Sequence, residues 1–169
     1  MIPPENRQWH VMRWLRLVVL LIVAWCVMVL SHEVGNLLGG WLGGGTLQQA
    51  DLRPWALPHS HFDPDPHPLL TLWAGPIFGA GFPLAIAAGI RRRWSSLIAH
   101  FCLLANGCYL ATAWWDGGAH LDTTRLLAHG ASPLQIIAYC VITIGWGYVR
   151  FRASCIALLS PAQSKDLTS

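Results

Sequence analysis

His32 and Glu33 stand inside an apolar run that begins near Leu15, in the segment Ser31-His32-Glu33-Val34-Gly35-Asn36. Titratable groups are costly in such surroundings, so their presence marks a functional position by default. On a helix His32 and Asn36 are four apart and share a face. Metalloproteases use this frame with a second His: the two imidazoles hold zinc, and the intervening Glu takes a proton from water at the metal. Here Asn36 takes the second place, and an amide oxygen is a weaker zinc ligand than imidazole. HExxN is by itself a weak signature.

Other chemistry-bearing residues fall into two loops. The first, about 45–68, carries His59, His61, Asp63, Asp65 and His67 among prolines. Such a set has the donor types for a metal, but Pro-rich Asp/His segments are more often solvated loops with proline-fixed extended backbone. His67-Pro68 leads into the next apolar stretch and is the member best placed to face a site. The second loop, about 116–131, carries Asp116, His120, Asp122, Arg125 and His129. His100 and Asn106 lie in an apolar stretch, where interhelical hydrogen bonding is the better reading. The five cysteines form no CxxC pair and read as small hydrophobes.

The elements that must position these groups are membrane helices. Of 169 residues 54% are hydrophobic and 11% charged, against about 25% charged in average soluble domains. Four apolar stretches are long enough to span: about 15–38, 69–90, 95–115 and 133–151. Each has roughly the twenty residues needed to cross about 30 Å of hydrocarbon as a helix, and spanning strands would be shorter and alternating. Ser132-Pro133 is a helix start, a capping hydroxyl followed by Pro at the first helical position. The expected fold is an all-α polytopic bundle of about four transmembrane helices. It forms a single membrane-embedded domain over 1–152, followed by a short cytoplasmic tail over 153–169 with an interfacial turn at Cys155–Ser160. Arg7, Arg13 and Arg16 before the first stretch imitate a signal peptide. No small-x-small cleavage site follows, so the segment reads as an uncleaved first helix.

Charge placement sets the orientation. Arg7, Arg13, Arg16, Arg91, Arg92, Arg93, Arg150, Arg152 and Lys165 fall on one side of a four-span layout, and Arg53 and Arg125 on the other. Both termini are therefore expected in the cytoplasm, in a bacterial-type inner membrane, with both polar loops on the opposite side. The ends of the first and third spans then share a side with the Asp116–Asp122 segment, so His32, Glu33 and Asp122 can meet. The expected partners are the lipid bilayer and a membrane protein or peptide substrate. No basic stripe suited to nucleic acid is present.

Three segments in order resemble the site-2-protease-like (M50) membrane metallopeptidases. His32-Glu33-Val34-Gly35-Asn36 with Gly43-Gly44 is similar to the HExGH helix and its following Gly-Gly. Ala74-Gly75-Pro76 is similar to the AGP segment. Leu121-Asp122-Thr123-Thr124-Arg125-Leu126-Leu127 is similar to LDGGRLL, with Thr for both Gly. The resemblance implies Glu33 as catalytic general base and His32 and Asp122 as zinc ligands. Asn36 departs from the pattern, and the Asn-x-x-Pro element is missing or altered, with Asn106 and Asp116-Gly117-Gly118 as candidate remnants. His120 or His67 is available as replacement third ligand. Two functions follow: a zinc metallopeptidase acting within or near the membrane, or a non-catalytic relative that binds or presents a membrane partner. A transport-like bundle ranks third, because no repeated half or run of pore-lining polar residues is present.

Overall fold

The computed structural model of the protein describes residues 4–56 and 58–160, with side chains from residue 11 onward. Lys165 and the rest of the expected tail beyond Ser160 lie outside the described residues. The chain runs α1 (Pro4–Leu42), β1 (Leu47–Asp51), β2 (His59–Phe62), α2 (Pro68–Ile90), α3 (Arg93–Asp116), α4 (Asp122–Ala128) and α5 (Pro133–Leu159). Four of these helices, α1 from Val11 onward, α2, α3 and α5, are long and apolar enough to cross a membrane. The protein is an all-α membrane bundle with one small hairpin.

The spans follow from composition, and their ends from local chemistry. α1 is longer than expected at both ends, because Gly39 and Gly40 stay helical and pack against α2 and the Phe62 ring. It stops where Gly44 takes φ +78°, a left-handed conformation that glycine adopts freely. α5 begins at Pro133 as the sequence indicates, with Gln135 Oε1 accepting from the Ser132 N–H at 3.2 Å. It continues past Phe151 to Leu159, so helix stands where a turn at Cys155–Ser160 was expected. Ala153, Ile156, Ala157 and Leu158 raise no barrier to helix there. The stop comes at Ser160, whose ψ of 140° suits the residue preceding Pro161.

The loop expected at 45–68 contains an antiparallel hairpin. Asp51 pairs with His59 and Leu47 with Phe62, with a bulge between Leu47 and Gln49. β2 alternates: His59 and His61 are exposed, while Ser60 and Phe62 are buried against the end of α1. Beside it, the Arg53 guanidinium holds the partly exposed Asp51 carboxyl down to about 2.

Inside the bundle, Ala24, Met28 and Val29 of α1 pack on Ile98 and Cys102 of α3. Leu72, Leu110, Leu126, Ile136 and Cys140 join α2 to α5. Small residues let the helices approach closely, as membrane packing requires. Polar links are few and specific. His100 Nδ1 lies 2.9 Å from Ser154 Oγ, joining α3 to α5. Ser31 Oγ lies 3.5 Å from the Gly79 carbonyl, which Pro83 four residues on cannot serve because it has no N–H. At one end of the bundle, Arg13 Nη1 donates to the Leu159 carbonyl at 3.1 Å and Arg93 Nη1 to that of Ala157 at 3.4 Å. The five cysteines are free.

Candidate functional site

The site is built from α1 outward. Ser31, His32, Glu33 and Asn36 are 4–6% exposed, so the polar face of this helix is turned fully into the bundle. α2 passes over it at Gly75, where a Cβ would collide with Asn36 Oδ1 and His32 Nε2. Only glycine allows the helices this approach, which accounts for the Ala74-Gly75-Pro76 segment in physical terms. α3 supplies Asn106 and, one turn later on the same face, Tyr109, whose ring meets His32 edge-on at 5.4 Å between centroids. α4 supplies Asp122 in its first turn. Thr123 Oγ donates to the Leu110 carbonyl at 2.7 Å and fastens α4 to α3.

His32 lies between two oxygens. Its Nδ1 is 2.8 Å from Asn106 Oδ1, and its Nε2 is 2.8 Å from Asp122 Oδ2. Asn106 is itself oriented, because its Nδ2 donates to the Cys102 carbonyl at 2.9 Å. Its oxygen therefore faces the imidazole and accepts from Nδ1–H. A neutral ring then carries a lone pair on Nε2, aimed at a carboxylate oxygen. Two electron-rich atoms at this distance need a cation between them, either a proton or a metal ion. An imidazole whose Nδ1–H is held by a carbonyl oxygen, with Nε2 turned to a carboxylate, has the orientation of a metal-ligating histidine.

Asn36 adds a third donor. Its Oδ1 is buried with no hydrogen-bond partner, and it borders the same point beside Gly75 as His32 Nε2. Buried polar atoms are rarely left unpaired, so this oxygen calls for a ligand. One imidazole nitrogen, one carboxylate oxygen and one amide oxygen form a mixed donor set whose chemistry fits a divalent cation. Glu33 stands next to it, with Oε2 accepting from Ser60 Oγ at 2.8 Å. The hairpin is thereby tied to the acid.

A cavity of about 720 Å³ opens over these groups, lined by Glu33, Asn36, Tyr109 and Asp122 below and by the hairpin and α4 above. His120 and Arg125 line it, as do His59, His61 and Asp65. His67 does not. It precedes α2 with its N–H toward Asp65 Oδ1 at 3.2 Å and borders a separate cavity with Leu42 and Leu69. Among the described residues no three His, Cys, Asp or Glu side chains are gathered to hold a metal. Neither His120 nor His67 joins His32 and Asp122 as third ligand. The donor beside that pair is Asn36 itself.

The structure thus brings together His32, Glu33, Asn36 and Asp122 and leaves His67 apart. It adds Ser60, Tyr109 and Thr123, which sequence reasoning did not single out. Tyr109 follows Asn106 by three residues on a helix, a visible signal. Ser60 became significant only once β2 was paired and its buried face known.

Fold and site together define a polytopic membrane protein with a buried imidazole–carboxylate centre under a polar cavity. No protein-family model, curated protein or solved structure matches the chain.

Proposed function

We propose that the protein is a membrane-embedded zinc peptidase of the site-2-protease-like (M50) kind, with His32 Nε2, Asp122 Oδ2 and Asn36 Oδ1 as the metal-holding atoms. The observation that carries this reading is His32 Nε2 at 2.8 Å from Asp122 Oδ2, with Nδ1 held by Asn106 and the unpaired Asn36 oxygen alongside. Zinc bound there would supply Lewis acidity toward a peptide carbonyl and toward water.

The chain's own groups do the rest. Glu33 lines the cavity and takes a proton from water as the water oxygen bonds to the peptide carbonyl carbon. It returns that proton to the amide nitrogen as the C–N bond breaks. Asn106 holds the His32 ring in one tautomer, and Ser60 orients the Glu33 carboxylate. Tyr109 and the hairpin limit access of bulk water. The substrate is a membrane protein or peptide segment whose chain reaches the cavity. The distribution of basic residues supports an orientation with both termini in the cytoplasm of a bacterial-type inner membrane and the hairpin on the other side.

A second reading rests on Asn36: with one ligand weakened, the chain is a non-catalytic relative that binds or presents a membrane partner. Two measurements separate the readings. Elemental analysis of purified protein should find stoichiometric zinc, lost in His32→Ala and Asp122→Ala and reduced in Asn36→Ala. In proteoliposomes a labelled membrane-spanning peptide should be cleaved by the wild type and left whole by Glu33→Gln. Metal content unchanged in all three variants would remove the metal reading. Cleavage unaffected by Glu33→Gln would remove the peptidase reading. Zinc bound without cleavage, with cleavage gained in Asn36→His, would establish the non-catalytic reading.

A further inference from the structure

Arg125 is a half-buried guanidinium that lines the cavity, one turn beyond Asp122 on α4. No carboxylate pairs with it among the described residues, where the ion pairs are His32–Asp122 and Asp51–Arg53. The carboxylates that line the cavity with it are already engaged: Asp122 by His32, Glu33 by Ser60, and Asp65 by the His67 N–H. The other basic groups lining the cavity (His59, His61, His120 and His129) are imidazoles. Arg125 alone there carries a charge that pH does not remove. A permanent cation partly withdrawn from water and left without a counter-charge favours an anionic ligand.

We infer that Arg125 makes this cavity selective for peptides bearing a carboxylate, a specificity that rests on the peptidase reading. The guanidinium fork matches a carboxylate through two parallel N–H···O bonds. A single carboxylate also suits the site better than a phosphate. Glu33, Asp65 and Asp122 share the cavity, and a second negative charge on the ligand would be repelled by them. A cavity of about 720 Å³ has room for a short peptide stretch with its anionic group on Arg125 and its backbone toward Glu33. The carboxylate can be the C-terminus of the bound segment or an Asp or Glu side chain. An anionic lipid headgroup is the competing occupant.

The test is binding, which requires neither turnover nor metal. Fluorescein-labelled peptides are titrated against the detergent-solubilised Glu33→Gln protein by anisotropy. One ends in a free carboxylate, one is amidated, and one is amidated with an internal Asp. The carboxylate-bearing peptides should bind at least about tenfold more tightly than the fully neutral one, as loss of a charge-assisted pair implies. Which of the two binds tighter identifies the source of the carboxylate. Adding Arg125→Gln should erase the difference, while Arg125→Lys retains part of it. Both variants are checked for the parent's melting temperature and elution volume, and Arg125→Lys alone decides if Arg125→Gln misfolds. Equal binding of acid and neutral peptides, or no binding of either, overturns the proposal. Loss of the acid preference when phosphatidylglycerol replaces a neutral lipid in the micelles assigns the site to a headgroup and overturns it too. An acid preference in a protein that never cleaves would retain the carboxylate site and discard the peptidase reading. Cleavage without any acid preference would do the reverse.

Discussion

The imidazole of His32 and the carboxylate of Asp122 meet at 2.8 Å across ninety positions of sequence, inside a bundle of apolar helices. Both side chains are buried, so each relies on the other for a polar contact, and His32 relies on Asn106 as well. This dependence makes the pair a sensitive point for both folding and chemistry.

Asp122→Ala should lower stability by about 1–3 kcal/mol, because it leaves a buried imidazole nitrogen unpaired. Asp122→Asn keeps an oxygen of the same shape and should melt close to the wild type; on the proposed zinc reading it should also lower metal content. Thermal unfolding in detergent, followed by metal analysis of the same samples, reads both quantities. Equal melting of Asp122→Ala and wild type would mean that the pair does not hold the bundle together.

Gly75→Ala should be among the more damaging single methyl additions in the protein. Its Cβ would press on Asn36 Oδ1 and His32 Nε2, and overpacking of this sort costs about 1–3 kcal/mol. Gly81, on the same helix, has open space around it, so Gly81→Ala should be neutral or stabilising by up to about 1 kcal/mol. A side-by-side melt gives the comparison, and Gly75→Ala should also lower any activity.

Ser60→Ala should loosen the hairpin without unfolding the bundle. The serine hydroxyl joins β2 to Glu33 at 2.8 Å, whereas the helices are held by their own packing. Hydrogen exchange should speed up over residues 47–62 and remain unchanged in α3 and α5. Uniform exchange throughout would show that the tether has no local role.

Acid should weaken the turn of the hairpin in a defined window. The Asp51 carboxyl is lowered from 3.8 to about 2 by Arg53, so its contribution is complete above about 4 and is lost as pH falls through 2. Arg53→Gln should return the Asp51 titration toward 3.8. Carboxylate chemical shifts in labelled protein follow this directly, and an Asp51 midpoint unmoved by Arg53→Gln would refute the pairing.

Much of the architecture was legible because lipid imposes a simple length rule. About twenty apolar residues make a span, and all four spans appear where the hydropathy lies. Their ends were less legible: α1 runs through Gly39 and Gly40 because α2 and Phe62 pack on them, and α5 runs to Leu159 because nothing before Pro161 stops it. The hairpin was hidden, because its alternation lasts only from His59 to Phe62 and prolines flank it. Asn106 was correctly read as an interhelical hydrogen-bonding residue, but its partner could not be known.

Sequence alone determined that the chain crosses a membrane as helices and that His32, Glu33 and Asp122 are out of place in lipid unless they meet. Both follow from local cost, which each residue carries wherever it folds. Tertiary structure decided which oxygens face which nitrogens. It put Asn36, and neither His120 nor His67, beside the His32–Asp122 pair, because Gly75 lets α2 close over that face while the loop holding His67 anchors the start of a different helix. Donor geometry at this scale depends on the packing of four helices at once, and no single segment contains it.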